Sequence, residues 1–417
     1  VARLSYSNPS IKRLALILLA LGLISLPFGF SPLSNLSLAV LALLSILSFK
    51  RSDWKYSLKQ PASIASILFF SLYALSLFYS ENVDGGQADL ETKFSFLLAP
   101  LILFGLGQYL RKDEINKISW LFIGANLACL ISALAYAGWR SYQSQSFSFV
   151  LPNGTQEHFY FLYETFAEPF MHPGYLSTHF GIAIILLLFR WREKENQALL
   201  VFPLIFFLSF GLFLLQGRIN ILALALVIGT LLVYWWLKDL RWKALLVSGA
   251  LVFALVISFL SFAPQSVKER YLAFPDFSYD ISGSSFNSAT YRLAEWKCAW
   301  HAIAQKPWFG HGIGDAEQVL FNSYQELGFH QGLERRYNAH NQYLETSLAL
   351  GLMGFLVLLS LLAAYMWQAI KSRNSAVLAA LVFFSISMIT ESMFERAWAV
   401  VLFNVFFPLF LIKKKEA

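Results

Sequence analysis

Long uninterrupted apolar runs, such as the LALILLALGLISLPFGF that follows Lys12 and Arg13, recur along almost the whole chain. A soluble core cannot enclose so many of them. A bilayer can, because about 20 apolar residues in a helix cross its roughly 30 Å hydrocarbon layer with every backbone group paired internally. Composition agrees: hydrophobic residues make up 57% of the 417 positions and charged residues 14%, whereas a soluble surface needs about a quarter charged. Mean hydropathy is +0.55. The expectation is an all-α polytopic membrane protein. That excludes a soluble enzyme, a nucleic-acid binder and a secreted disulfide scaffold, and the net charge of +7 becomes a matter of topology. Cys129 and Cys298 fall in an apolar run and a polar loop, so neither a disulfide nor a cysteine metal site is expected.

Twelve spans are expected near 14–30, 35–49, 62–79, 94–110, 116–138, 174–190, 198–215, 219–237, 244–262, 342–368, 375–390 and 398–412. The first resembles a signal peptide but lacks a convincing cleavage site, so it counts as a retained helix. Short connections rich in Lys and Arg (KRSDWKYSLK, RKDEINK, RWREKEN, KDLRWK, KSR) alternate with longer ones that carry most of the acids. The positive-inside rule then puts both termini in the cytoplasm and the acidic set outside. Residues 1–262 would hold nine spans, 263–341 an outward subdomain, and 342–417 three more spans. In the outward segment, Leu293, Trp296, Trp300 and Ile303 recur at helical spacing between Ser288 and Gln305. That helix can lie in the membrane interface or belong to a small cap packed on the bundle.

Several residues are out of place on the outward face. Arg218 stands in the turn Gln216-Gly217-Arg218 between two apolar runs, where it either serves function or snorkels to headgroups. Arg292 lies three residues before Glu295, so a local ion pair and a ligand-binding role are both open. His340 belongs to Arg335-Arg336-Tyr337-Asn338-Ala339-His340-Asn341-Gln342-Tyr343, directly before a span. It can cap the helix, or act as a general base because a neutral imidazole titrates near ambient pH. Arg336, Asn341 and Tyr343 share that boundary, and Lys93 and His172 precede other spans, making them further candidates for holding substrate. Glu391, Glu395 and Arg396 could simply pair with one another. The glycine-alternating PWFGHGIG stretch reads as a structural turn. Arginines gathered on one face suit a phosphate or pyrophosphate, which outside the membrane would arrive on a lipid.

Taken in order, QGRIN, YRLAEWKCAWHAIAQKPWFGHGIG and AHNQYLETSLALGLMGF resemble the O-antigen ligase and polymerase superfamily of bacterial envelopes, over roughly a third of the chain, Gln216 to Phe355. The turn around Arg218 departs from the Ser-Arg-Gly-like sequence frequent in relatives. The resemblance implies a GT-C-like architecture in the bacterial inner membrane and an inverting, metal-independent glycosyltransferase without a cofactor. Its donor would be an undecaprenyl-pyrophosphate-linked glycan. The acceptor would be a lipid A–core sugar in a ligase, or a second lipid-linked glycan in a polymerase, at the periplasmic face. By the same resemblance His340 would be the base, and Arg218 and Arg292 would hold the pyrophosphate. Membrane lipids are the other expected partners, and a monomer the expected assembly. The competing reading is a transporter of lipid-linked glycan, disfavoured by the sparse polar content inside the spans.

Overall fold

The structure is a computed structural model that describes residues 5–150, 157–239, 281 and 288–412. It is built of helices, with one short antiparallel hairpin, Ser148–Val150 (β1) with Glu157–Phe159 (β2). In chain order the helices are α1 Pro9–Ser25, α2 Ser31–Ser48, α3 Arg51–Leu58, α4 Pro61–Ser76, α5 Val83–Lys93, α6 Ser95–Gly107, α7 Lys112–Ser144, α8 Tyr163–Ala167, α9 Pro173–Glu193, α10 Ala198–Leu214, α11 Arg218–Asp239, α12 Ser288–Gln305, α13 Ala316–Glu326, α14 His330–Glu334, α15 Gln342–Lys371 and α16 Ser375–Ser387. The last, Ala397–Leu411 (α17), contains a π-helical turn at Leu402–Phe406. Among the described residues, eight helical stretches are long and apolar enough to cross a membrane, and two shorter apolar helices follow, so the chain is an all-α polytopic membrane protein. The expected span at 244–262 lies outside the described residues. The acidic stretch before the fourth expected span is helical rather than a loop: α5 runs almost directly into α6.

Between apolar helices in lipid, close packing and interhelical hydrogen bonds replace the hydrophobic drive. Both are visible here. The α1–α2 contact is made of small residues, with Ser25 and Ser34 hydroxyls 2.7 Å apart and both reaching the Gly22 carbonyl. Along the α4–α15 contact a polar ladder runs from end to end: Tyr73 donates to Thr346 at 3.3 Å, Ser66 and Tyr365 hydroxyls meet at 3.1 Å, and Ala62 N donates to Gln368 at 3.3 Å. The most enclosed span is α9, with 83% of its apolar window buried. Its N-cap residue is His172, whose side chain accepts from Gly174 N.

The PWFGHGIG stretch is a wedge. Helix α15 breaks at Gly351, whose φ is +62°, and backbone from Pro307 to Gly312 fills the break. His311 N and Gly312 N donate to the Leu348 and Ala349 carbonyls at 2.9 Å each, while Leu352 N and Met353 N donate to Pro307 and Trp308 at 2.8 and 3.2 Å. Four backbone groups freed by the break are thereby paired, which an apolar environment requires. A Cβ on Gly351 would lie 2.4 Å from the Trp308 carbonyl carbon. Gly351→Ala should therefore cost more than the roughly 1–2 kcal/mol of a left-handed residue with a side chain, and strip folded protein from membranes. Gly124→Ala is the control, since its Cβ would meet nothing within 4 Å; equal thermal stability of the two variants in detergent would contradict the wedge.

Candidate active site

His340 occupies a strained position that its neighbours build. It has φ +41°, a left-handed conformation costing roughly 1–2 kcal/mol, and sits one residue before the cap of α15. Asn341 is that cap: its Oδ1 accepts from Tyr343 N at 2.9 Å and Leu344 N at 3.1 Å. The His340 N–H donates to Asn338 Oδ1 at 2.9 Å, and Ala339 N donates to the Glu345 carboxylate at 2.5 Å. The backbone on both flanks of the imidazole is thus fixed.

The imidazole meets α12. His340 Nδ1 lies 3.1 Å from Glu295 Oε2, and Glu295 is 2% exposed. Glu295 therefore pairs across the fold instead of with Arg292 three residues before it. Burial works against charge on His340, but Glu295, and behind it Glu391, outweigh that and hold its pKa above the ordinary imidazole value. With Nδ1–H committed to a carboxylate, Nε2 carries the lone pair; among the described residues it has no hydrogen-bond partner.

Arg292 turns to the other side. Its Nη2 meets Glu391 Oε1 at 3.2 Å and its Nε donates to the Thr390 carbonyl at 3.3 Å. Glu391, almost fully buried, also lies 3.7 Å from His172 Nδ1. Burial lowers the His172 pKa despite that carboxylate, and its Nδ1 accepts from Gly174 N at 3.3 Å. Glu391 thus joins Arg292 to the start of α9, and does not pair with Arg396. The helix that Arg218 begins packs against the same turn of α9. Arg218 is the first residue of α11, and Asn220 Nδ2, two residues on, donates to the Gly174 carbonyl at 2.8 Å. Gly217 permits this, because a Cβ there would lie 2.6 Å from Ser177 Oγ. Arg292, His172 and His340 are accordingly linked through Glu391 and Glu295 near the start of α9, and the first turn of α11, which begins with Arg218, packs on the same helix through Asn220 and Gly217.

A cavity of about 340 Å³ is lined by His340 together with Lys93, Glu345, Glu395 and Arg396. Lys93, read as a substrate ligand, is 1% exposed in its wall; its Nζ sits 2.7 Å from Glu395 Oε2 and 5.0 Å over the Tyr73 ring. Arg336 stands at the mouth, over Phe321 and 3.9 Å from Glu317. Tyr343 points away and donates to the Ser385 carbonyl at 2.9 Å. Asn341 Oδ1 and the Tyr343 hydroxyl are thus engaged in holding α15. Sequence reasoning gave Glu295 and Glu391 only local ion pairs and gave Glu345 no specific role. A carboxylate buried beside a candidate base is the signal, and it emerges only from the tertiary pairing. Of the outward helix, α12 packs against α13 and α15 and buries Ala294, Cys298, Ala299 and Ala302, while Trp300 is exposed. Its packing is that of a cap on the bundle.

Residues 203–359 match the family described as O-Antigen ligase. Two proteins named "Putative polysaccharide ligase" are similar to this chain. That of Rickettsia felis is 27% identical over 214 residues, covering 48% of this chain and 46% of the relative. That of Rickettsia conorii is 26% identical over 221 residues, with 48% and 45% covered. The chain spans about half the length of the curated relatives it matches. Arg218, Arg292 and His340 all fall inside the matched segment, and over that segment the chain is similar to the O-antigen ligase family.

Proposed function

We propose that this protein is a metal-independent, inverting glycosyltransferase of the O-antigen ligase type. It would act at the periplasmic face of the inner membrane, on a twelve-span GT-C-like scaffold with both termini cytoplasmic. The observation that carries the reading is the buried Glu295–His340 pair beside the Arg292–Glu391 pair. Undecaprenyl-pyrophosphate-linked glycan is the donor, with its diphosphate held by Arg218 and Arg292. Ser177 Oγ, beneath the Arg218 turn, is a buried hydroxyl without a partner among the described residues and can donate to the same anion. The acceptor is a sugar hydroxyl of lipid A–core.

Chemically, the acceptor oxygen forms a bond to the anomeric carbon as the bond from that carbon to the pyrophosphate oxygen breaks. The electron pair departs with the pyrophosphate, where preorganised guanidinium groups stabilise it. The acceptor proton passes to His340 Nε2, and Glu295 stabilises the resulting imidazolium through Nδ1–H. Attack opposite the leaving group inverts the anomeric centre.

A pH profile tests the base. His340 must be neutral to act, so transfer should rise with pH through its elevated pKa. Glu295→Gln removes the charge that raises that pKa, so the acid limb should move to lower pH while maximal rate falls about tenfold or more. An unmoved limb would remove Glu295 and His340 from the reaction. The linked stability runs the other way. A raised folded pKa contributes stability below the unfolded value of about 6.5, and that contribution is lost as pH rises through the folded pKa.

A further inference from the structure

The backbone of the PWFGHGIG wedge fills the break in α15, while its two large aromatic side chains stay outside: Trp308 is 60% and Phe309 64% exposed. Two helices give their height in the bundle. Helices α4 and α15 run side by side and are bonded at one end, Ala62 to Gln368, with Lys59 and Lys371 just beyond. From that end, α4 and its following turn extend 19 residues, from Pro61 to Tyr79, about 28 Å at 1.5 Å per residue. Along α15, the interval from Lys371 back to Gly351 is about 30 Å by the same rise. Both lengths match the roughly 30 Å hydrocarbon layer of a bilayer. The two rulers end at one place, where the Tyr79 hydroxyl donates to the Phe309 carbonyl at 2.8 Å, Ile313 N to Ser76 Oγ at 3.0 Å, and Gly314 N to Ser80 Oγ at 3.2 Å. The wedge therefore lies at the hydrocarbon edge on the His340 side.

Phe78, 89% exposed, and Tyr79 stand at the same level, and Leu352, Met353 and Leu356 of the α15 span are exposed next below. The aromatic patch thus continues a surface that faces acyl chains. Lys306, also exposed, adjoins it, and a lysine stem lies along apolar surface while its charge reaches phosphate. Aromatic rings favour this boundary. We propose that the wedge is a membrane anchor, with Trp308 and Phe309 seated among the acyl carbonyls and headgroups of the phospholipid leaflet on the His340 side. Helix α12 rises from it. That helix is joined to α15 at both ends, through the wedge and through the Glu295–His340 pair, so it stands along α15 instead of lying flat in the interface. Glu295 is about 15 Å along the helix from Gln305, and the anchor thereby fixes the height of the Glu295–His340 pair above the lipid. The anchor stands whatever the reaction; its effect on transfer rests on the function proposed above.

Electron paramagnetic resonance of the full chain in vesicles of phosphatidylethanolamine and phosphatidylglycerol tests the anchor. A nitroxide would be carried on Phe309→Cys and, for comparison, on Lys297→Cys, an exposed position higher on α12; Cys129 and Cys298 are buried and stay unlabelled. At position 309, collisions with oxygen, which dissolves in lipid, should exceed those with a water-soluble nickel chelate, and at 297 the order should reverse. Phe78→Cys, on another helix at the same level, should behave like 309 and supplies the reading if that variant fails to fold. Chelate dominance at 309 and 78 would put the patch in water and overturn the anchor. Protection of both from both reagents would mean that protein covers the patch, and would overturn it too. Oxygen dominance at all three positions would lay α12 flat in the interface and overturn the height assignment. Trp308→Gln combined with Phe309→Gln should lower transfer from a bilayer-embedded donor about tenfold while leaving transfer from a short-chain, water-soluble donor within about twofold. Equal loss with both donors would make the rings structural and sink the height assignment. Labels seated in lipid on a parent protein that transfers no glycan would uphold the anchor and refute the proposed function.

Discussion

His340→Ala is expected to lower glycan transfer by about 10²–10⁴-fold, the usual contribution of a positioned general base, with the protein still inserted and folded. The second half of that expectation follows from local structure. The α15 cap is Asn341, and the turn is tied by Asn338 and Glu345, so helix entry survives the loss of the imidazole. Alanine does leave Glu295 buried without its partner, which costs stability in proportion to its desolvation. His340→Gln, which can still donate toward Glu295, separates the two effects: stability should recover and transfer should not. Rates per folded molecule, with abundance measured by quantitative immunoblot of membranes, read both. Wild-type transfer by either variant would end the case for His340 as the base.

Arg292→Gln should be nearly as damaging, and for two reasons that can be told apart. It removes a guanidinium from the proposed pyrophosphate site, and it leaves Glu391, which is 5% exposed, with only His172 at 3.7 Å. Breaking a buried ion pair from one end typically costs about 3–5 kcal/mol. The partly exposed Arg292 places this pair at or below the low end, about 3 kcal/mol. Adding Glu391→Gln removes the stranded carboxylate, so the double variant should regain thermal stability in detergent while transfer stays low. Were transfer to return with stability, Arg292 would be a structural residue and Arg218 the sole proposed cation for the leaving group. Arg292→Lys should fall between, because a point charge cannot keep both the Thr390 and Glu391 contacts.

Much of this arrangement is written locally, and the remainder is not. Apolar runs near the length of a bilayer crossing locate the helices, because in lipid a helix must satisfy its own backbone. Arg218, Arg292 and His340 could be singled out because a cation or titratable ring at a membrane boundary has few inexpensive explanations. The choice of partners was hidden. Glu295 lies three residues from Arg292 yet bonds His340, 45 positions away, since α12 turns one carboxylate inward while Arg292 reaches toward Glu391. Glu391, Glu395 and Arg396 look self-contained in sequence, but two of them anchor cations from distant helices, Arg292 and Lys93. The break in α15 had a signal, Gly351 inside LALGLMGF, and so had the wedge, with Gly310 and Gly312 at positive φ. Neither predicts the other, because the hydrogen bonds that join them form only when the segment after α12 folds back onto α15.

The most direct measurement is reconstitution of the purified protein with undecaprenyl-pyrophosphate-linked glycan and lipid A–core in one bilayer, with products resolved by gel and mass spectrometry. Glycan on lipid A–core, formed only when that acceptor is present and lost in His340→Ala, is the predicted result. Longer lipid-linked chains without added lipid A–core would make the protein a polymerase and contradict the ligase assignment; glycan carried across the bilayer with no new glycosidic bond would contradict the enzyme itself.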